Sequence, residues 1–202
     1  RARTHSWEDT HARARAMEAS VAELFFLFFL EVLAAYLLQE RAQRELARRF
    51  GGAKDVRRDY VELLQPFLPW WAPPARVFGL VWPPLYALLA VAPFLVRLHY
   101  GWREALASFL LHQLLLLALT AWPPIYSGAG TRRAGIFVHA SALALALAYV
   151  VVTWRLYYVL PACLTLPLCV WLSFALALSI AVDWNMTMAR WEYDIKFRGA
   201  TP

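Results

Sequence analysis

Five long apolar runs divide the chain, at 20–39, 77–96, 105–122, 134–154 and 159–182. Each is near the ~20 residues that carry a helix across about 30 Å of hydrocarbon. Inside a bilayer every backbone N–H and C=O needs an internal partner, so only helices or closed barrels span. Barrel strands alternate apolar and polar positions over about ten residues, whereas these runs are continuous. The pattern therefore predicts an all-α fold, an integral membrane bundle of five transmembrane helices over 20–182. A polar arm (1–19), a basic loop (40–76) and a polar tail (183–202) flank or interrupt it.

Composition agrees with this pattern. The 202 residues are 61% hydrophobic, against about 45–50% apolar in soluble domains, and the excess sits in the runs. Charge adds an orientation. The net +6 is unevenly shared: with the N-terminus on side one, that side holds 7 of the 20 basic residues and side two holds 13. The positive-inside rule then puts side two, with the C-terminus, in the cytosol or matrix. The opening Arg1-Ala-Arg-Thr has no apolar core of a secretory signal; a processed precursor is one explanation for such a start, and if processing occurred, a cleaved organellar presequence is expected, which favours the mitochondrial inner membrane. A basic charge read as topology predicts membrane lipids, not nucleic acid, as the contact.

Polar groups inside the runs are the next signal. Glu23 and Glu31 share one broad face of the first run. A carboxylate at a helix centre costs about 2.5–3.5 kcal/mol on insertion scales, so that face should point at protein. Glu31 is expected to be protonated or paired in the bundle, the alternative being contact with a partner subunit. His112 and His139 lie in the third and fourth runs. Neither has a second His three or four residues away, so a buried hydrogen bond or interhelical contact is expected ahead of haem ligation. Cys163 and Cys169 are six residues apart on nearly opposite helix faces and read as small core hydrophobes. No metal site is expected. Ala140, Ala144 and Ala148 form a small-residue stripe; it suits close packing inside the bundle or a homodimer.

Beyond the first run, Gln39 to Arg49 continues a helical pattern into water until Gly51-Gly52. This basic segment either lies on an anionic membrane surface or docks on a protein. Proline-rich sequence then leads to Trp71-Ala-Pro73-Pro74 and the second run, with Gly79, Trp82 and Tyr86. Pro suits a helix start, where its missing N–H would have no partner anyway, and Trp and Tyr suit a membrane boundary.

Three ordered blocks carry a family resemblance. The first runs from Tyr60-Val-Glu-Leu-Leu through Pro69 to Trp71-x-Pro73-Pro74-x-x-Val77-x-Gly79-x-Val81-Trp82-x-x-Leu85-Tyr86. The second is Gln113-Leu and then Trp122-Pro123-Pro124-Ile125-Tyr126. The third is Trp154, Pro167, Trp171, Phe174 and Leu178. Together they resemble the TspO/MBR family, the tryptophan-rich sensory proteins and mitochondrial translocator proteins. The resemblance implies five helices around a pocket closed by the loop between helices one and two. It also implies binding of porphyrins or sterols, with Trp71, Pro73, Pro74, Trp82, Tyr86, Trp122, Trp171 and Phe174 lining or framing the pocket. Flat apolar ligands stack on such faces while a few polar groups orient them.

The departures fall on those polar groups. Leu119 stands where the family has an Asn, Leu168 follows Pro167 where it has a Tyr, and Ser179 follows Leu178 where it has an Asn. No nucleophile–base set, phosphate loop or metal cluster is present, so a non-enzyme is expected. The favoured expectation is an accessory subunit of a larger membrane complex, mitochondrial and respiratory, in contact with other membrane-protein subunits. No resident cofactor is expected; the vestigial pocket would hold lipid or sterol ahead of a porphyrin. The alternative is a porphyrin- or sterol-binding sensor or translocator.

Overall fold

The computed structural model describes residues 64–127, 132–157 and 159–198, together with Phe26, Leu30, Leu37, Arg41, Arg44, Glu45 and Arg48. A 3-10 turn at Gln65–Phe67 is followed by helices α1 (Ala75–Ser127), α2 (Arg132–Leu156) and α3 (Val159–Arg198). No strand occurs among the described residues. Four segments are long and apolar enough to cross a membrane: Arg76–Gly101 and Ala105–Pro123 within α1, Arg132–Leu156, and Val159–Lys196. They match the last four runs of the sequence. The described residues thus hold four crossings where the pattern predicts five. The first run is described only at Phe26, Leu30 and Leu37, and Glu23 and Glu31 lie outside the described residues.

The two crossings of α1 are arms of a hairpin. Gly101 has φ 82° and ψ 176° inside an otherwise helical stretch. Leu85 and Leu89 of the first arm share one buried cluster with Leu115 and Leu119 of the second. In a straight helix, residues 30 apart would be about 45 Å apart at 1.5 Å per residue, so the chain must fold back at Gly101. The same cluster takes in Ala142 and Ala146 of α2 and Leu168, Cys169 and Leu172 of α3. The outward surface is equally apolar: Leu80, Phe137 and Val170 are exposed. This is the arrangement expected when lipid rather than water covers the outside.

Small residues set the approach of α2, but not the stripe expected from spacing. Ala144 and Ala148 are exposed and Ala140 is half-buried, whereas Gly135, Ala142 and Ala146 face inward with His139, Tyr149 and Thr153. The two candidate stripes differ by two residues, about 200° around the helix. Small-residue spacing alone does not say which one turns inward; the buried one is the stripe that shares its face with His139, Tyr149 and Thr153.

A buried polar group ties α1 to α2 at the Gly101 end. The Ser108 hydroxyl donates to the Tyr149 phenol oxygen at 3.1 Å, and the His112 ring meets Tyr149 edge-on at 6.4 Å between centroids. His112 therefore makes the interhelical contact expected of it. Leaving such a group without its partner costs about 1–3 kcal/mol. Ser108→Ala and Tyr149→Phe should each lower unfolding stability in detergent by an amount in that range. The double variant should lose less than the sum, since both remove the same bond.

At the other end the 3-10 turn is pinned to α3. The Asn185 side-chain amide donates to the Phe67 carbonyl at 2.9 Å, and Leu64 is buried with Tyr126, Leu178 and Val182. The tail read as polar sequence after residue 182 is a helical continuation of α3 to Arg198. At 1.5 Å per residue α3 is about 60 Å long, twice the hydrocarbon thickness. Its uncharged part ends before Asp183, so the last four turns stand clear of the membrane core. Trp184, Trp191, Tyr193 and Ile195 are all exposed there.

Candidate functional site

Helix ends bring the predicted aromatic residues together where the 3-10 turn and loop meet α1 and α3. Trp71, on the loop that leads into α1, packs edge-on against Phe174 of α3 at 5.8 Å. Phe174 lies 5.2 Å from Trp171 one turn earlier. Trp171 in turn meets Phe78 at 5.5 Å and Trp82 at 6.3 Å, both edge-on. Trp82 continues to Tyr86 at 5.5 Å. The spacing explains the row: Phe78, Trp82 and Tyr86 recur every four residues on one face of α1, as Trp171 and Phe174 do at three on α3. Pro73 and Pro74 frame rather than line it. Pro73 is half-buried and Pro74 exposed, and the Pro74 carbonyl accepts the Val77 N–H at 2.9 Å to start the helix.

A second group, from the second arm of α1 and from α2, completes the cluster. Trp122 lies 5.5 Å from Tyr126 and 4.8 Å, edge-to-face, from His139. Trp122 packs in the same apolar cluster as Phe78 and Phe174, which joins it to the first row. Burial pushes the Tyr126 phenol above its usual pKa range. The phenol so held protonated donates to the Ser179 carbonyl at 3.4 Å.

Polar chemistry in this cluster rests on three groups. His139 is only 1% exposed. It lies against the backbone of Leu172 on α3, yet neither ring nitrogen completes a hydrogen bond. The indole N–H groups of Trp122 and Trp171 are likewise buried without a partner. An unsatisfied buried donor or acceptor costs about 1–3 kcal/mol, and each such group in a native protein calls for an explanation, often a ligand or water. His139 thus sits in an interhelical contact, between Trp122 of α1 and the Leu172 backbone of α3.

Of the predicted residues, Trp71, Trp82, Tyr86, Trp122, Trp171, Phe174 and His139 converge, whereas His112 belongs to the polar pair at the far end. Phe78 was missed by sequence reasoning, although its four-residue spacing to Trp82 was the available signal. The departures are explained locally. Leu119 and Leu168 are buried in the central cluster, and the Ser179 hydroxyl is spent on the Ala175 carbonyl at 2.9 Å. The two leucines offer a ligand no hydrogen bond, and Ser179 has no free donor left, only acceptor capacity. Among the described residues no three of His, Cys, Asp or Glu converge on a metal position.

The sequence matches the pattern of the TspO/MBR family over residues 46–185. This chain belongs to the TspO/MBR family. That span takes in both arms of α1, all of α2 and the membrane-crossing part of α3, and with them every residue of the aromatic cluster. A tryptophan-rich sensory protein from Cereibacter sphaeroides is 35% identical over 86 residues, covering 43% of this chain. The aligned stretch spans 46% of that relative, a little under half its length. Family membership and four apolar crossings make the chain a TspO-like integral membrane protein.

Proposed function

We propose that this TspO/MBR protein is a non-catalytic five-helix membrane protein that binds a flat apolar molecule, a sterol or porphyrin, as a sensor or translocator. The observation that carries the reading is the aromatic chain from Trp71 through Phe174 to Trp171, which meets both Phe78 and Trp82. Such faces stack on flat ligands, and each Trp or Phe can bury about 150–250 Å². The tryptophan-rich sensory protein it resembles supports the same direction. The length and apolarity of the first run, 20–39, support a fifth helix, and the excess of basic residues on side two supports a C-terminus on the cytosolic or matrix side.

Tryptophan fluorescence in detergent, titrated with protoporphyrin IX, tests the reading. Saturable quenching at micromolar porphyrin is expected. Trp171→Ala, which removes the centre of the row, should weaken binding at least tenfold, about 1.4 kcal/mol. A wild-type protein that shows no saturable quenching at those concentrations would count against ligand binding.

A second reading, an accessory subunit of a mitochondrial respiratory complex, has its own support. The projecting end of α3 carries Trp184, Trp191 and Ile195, all exposed, at spacings of seven and four residues that align them on one helix face. Large apolar side chains on one face beyond the membrane suit a protein contact. Native electrophoresis after mild extraction separates the two readings: a subunit migrates in a large assembly, a sensor as monomer or dimer.

A further inference from the structure

His139, Trp122 and Trp171 bring three different elements' nitrogen groups to one aromatic cluster; the two indole N–H groups have no protein acceptor, and His139 has only the Leu172 backbone beside it, with neither ring nitrogen in a well-formed hydrogen bond. His139 lies seven residues into α2, roughly 10 Å along the helix from Arg132. It is therefore beneath the charged end of the bundle and not at its rim. We propose that His139, with the Trp122 and Trp171 indoles, forms a carboxyl-binding subsite, so that the apolar molecule held by the aromatic row carries a carboxyl group directed at His139. This rests on the ligand-binding reading above and adds the chemical class of the ligand's polar end.

The donor set selects that class. Each indole offers one N–H and accepts nothing. A neutral imidazole offers one N–H and one acceptor nitrogen. In a surrounding that disfavours charge, a carboxyl group is held neutral; its carbonyl oxygen accepts from N–H donors while its O–H donates to the imidazole nitrogen. An alkane offers nothing to these groups. An ester keeps the acceptor but loses the donor, which leaves the imidazole acceptor nitrogen unsatisfied. The subsite also replaces what the chain lacks elsewhere: Leu119 and Leu168 contribute no polar atom and Ser179 no free donor, and His139 approaches from a different helix, against Trp122 at 4.8 Å.

Protoporphyrin IX and its dimethyl ester, followed by the porphyrin's own emission so that tryptophan changes do not disturb the signal, provide the test. Wild-type protein should bind the acid at least tenfold more tightly than the ester. His139→Leu should bring that ratio close to one while leaving ester binding within twofold, and His139→Gln, which keeps one donor and one acceptor, should restore part of the preference. Trp122→Phe keeps an aromatic ring, though a smaller one, and removes the N–H. It should weaken the acid about threefold or more and guards against a His139→Leu protein that fails to fold. Equal binding of acid and ester by the wild type, an unchanged ratio in His139→Leu, or undiminished acid binding by Trp122→Phe overturns the carboxyl subsite and leaves ligand binding standing. Binding of neither porphyrin by the wild type removes the ligand-binding reading and this inference with it.

Discussion

Gly135→Ala should be among the most damaging single changes in the bundle, although in an isolated helix it would help. A methyl group at Gly135 would sit 2.7 Å from the Tyr126 Cα and 2.8 Å from its Cβ. The first of those atoms is backbone, so no rotamer change relieves the overlap; α2 must move away from the second arm of α1. Overpacking of this kind costs typically 1–3 kcal/mol, and separating two helices that pack through small residues adds lost contact along the seam. Against this stands a helix-propensity gain of about 1 kcal/mol for replacing Gly by Ala. The overlap wins because it is with backbone and because Gly135 is buried. A net loss of about 2 kcal/mol is expected in thermal or denaturant unfolding in detergent, and more for Gly135→Leu. Gly79→Ala provides the contrast. No atom of the described residues lies within 4 Å of a Cβ there, so the same substitution should be neutral or mildly stabilising. Equal losses at the two sites would show that the close approach of α2 is not what Gly135 provides.

The same contact links stability to the site. Tyr126 is one turn beyond Trp122 on α1, and His139 is one turn beyond Gly135 on α2. Spreading that seam separates the Trp122–His139 pair, so Gly135→Ala should also weaken ligand binding. A loss confined to stability would mean the pair is held by α3 instead.

Which parts were legible in the sequence follows from what each residue has to satisfy. The four described crossings were readable because a helix surrounded by lipid must be apolar along its whole length, and charge at Asp183 or Arg132 marks where that need ends. The aromatic row was readable on α1 and α3 because its members recur at helical spacing on single elements. The small-residue face of α2 was not. Ala140, Ala144 and Ala148 satisfy the spacing as well as Ala142 and Ala146, and only packing against Leu115, Leu119 and Leu172 decides which set turns inward. His139 was readable as a polar group in an apolar run, but its approach to Trp122 joins residues 17 positions apart on two different helices. The continuation of α3 through Arg198 was hidden because apolarity, the signal that marks a crossing, stops at the membrane surface while helical hydrogen bonding does not.

The second large effect is expected at Gly101. With φ 82° and ψ 176° it occupies a backbone region open essentially to glycine. A side chain there costs of order 1–3 kcal/mol unless the hairpin rearranges. The position cannot drift toward helix, because a continuous α1 would carry Leu115 and Leu119 away from Leu85 and Leu89 and open the cluster they share. Gly101→Ala should therefore lower stability by about 2 kcal/mol, and the β-branched Gly101→Val by more. Gly101→Asn is the discriminating variant. Asn tolerates the left-handed helical region near φ +57°, ψ +47°, but that is far from ψ 176°, so it should lose about as much as Ala. If Asn alone were tolerated, the turn would be adopting a left-handed helical conformation and not the extended one that reverses α1. Arg103→Ala, at an exposed neighbouring position, should leave the unfolding transition in place. It thereby separates the backbone requirement at Gly101 from any contribution of charge at this end of the bundle.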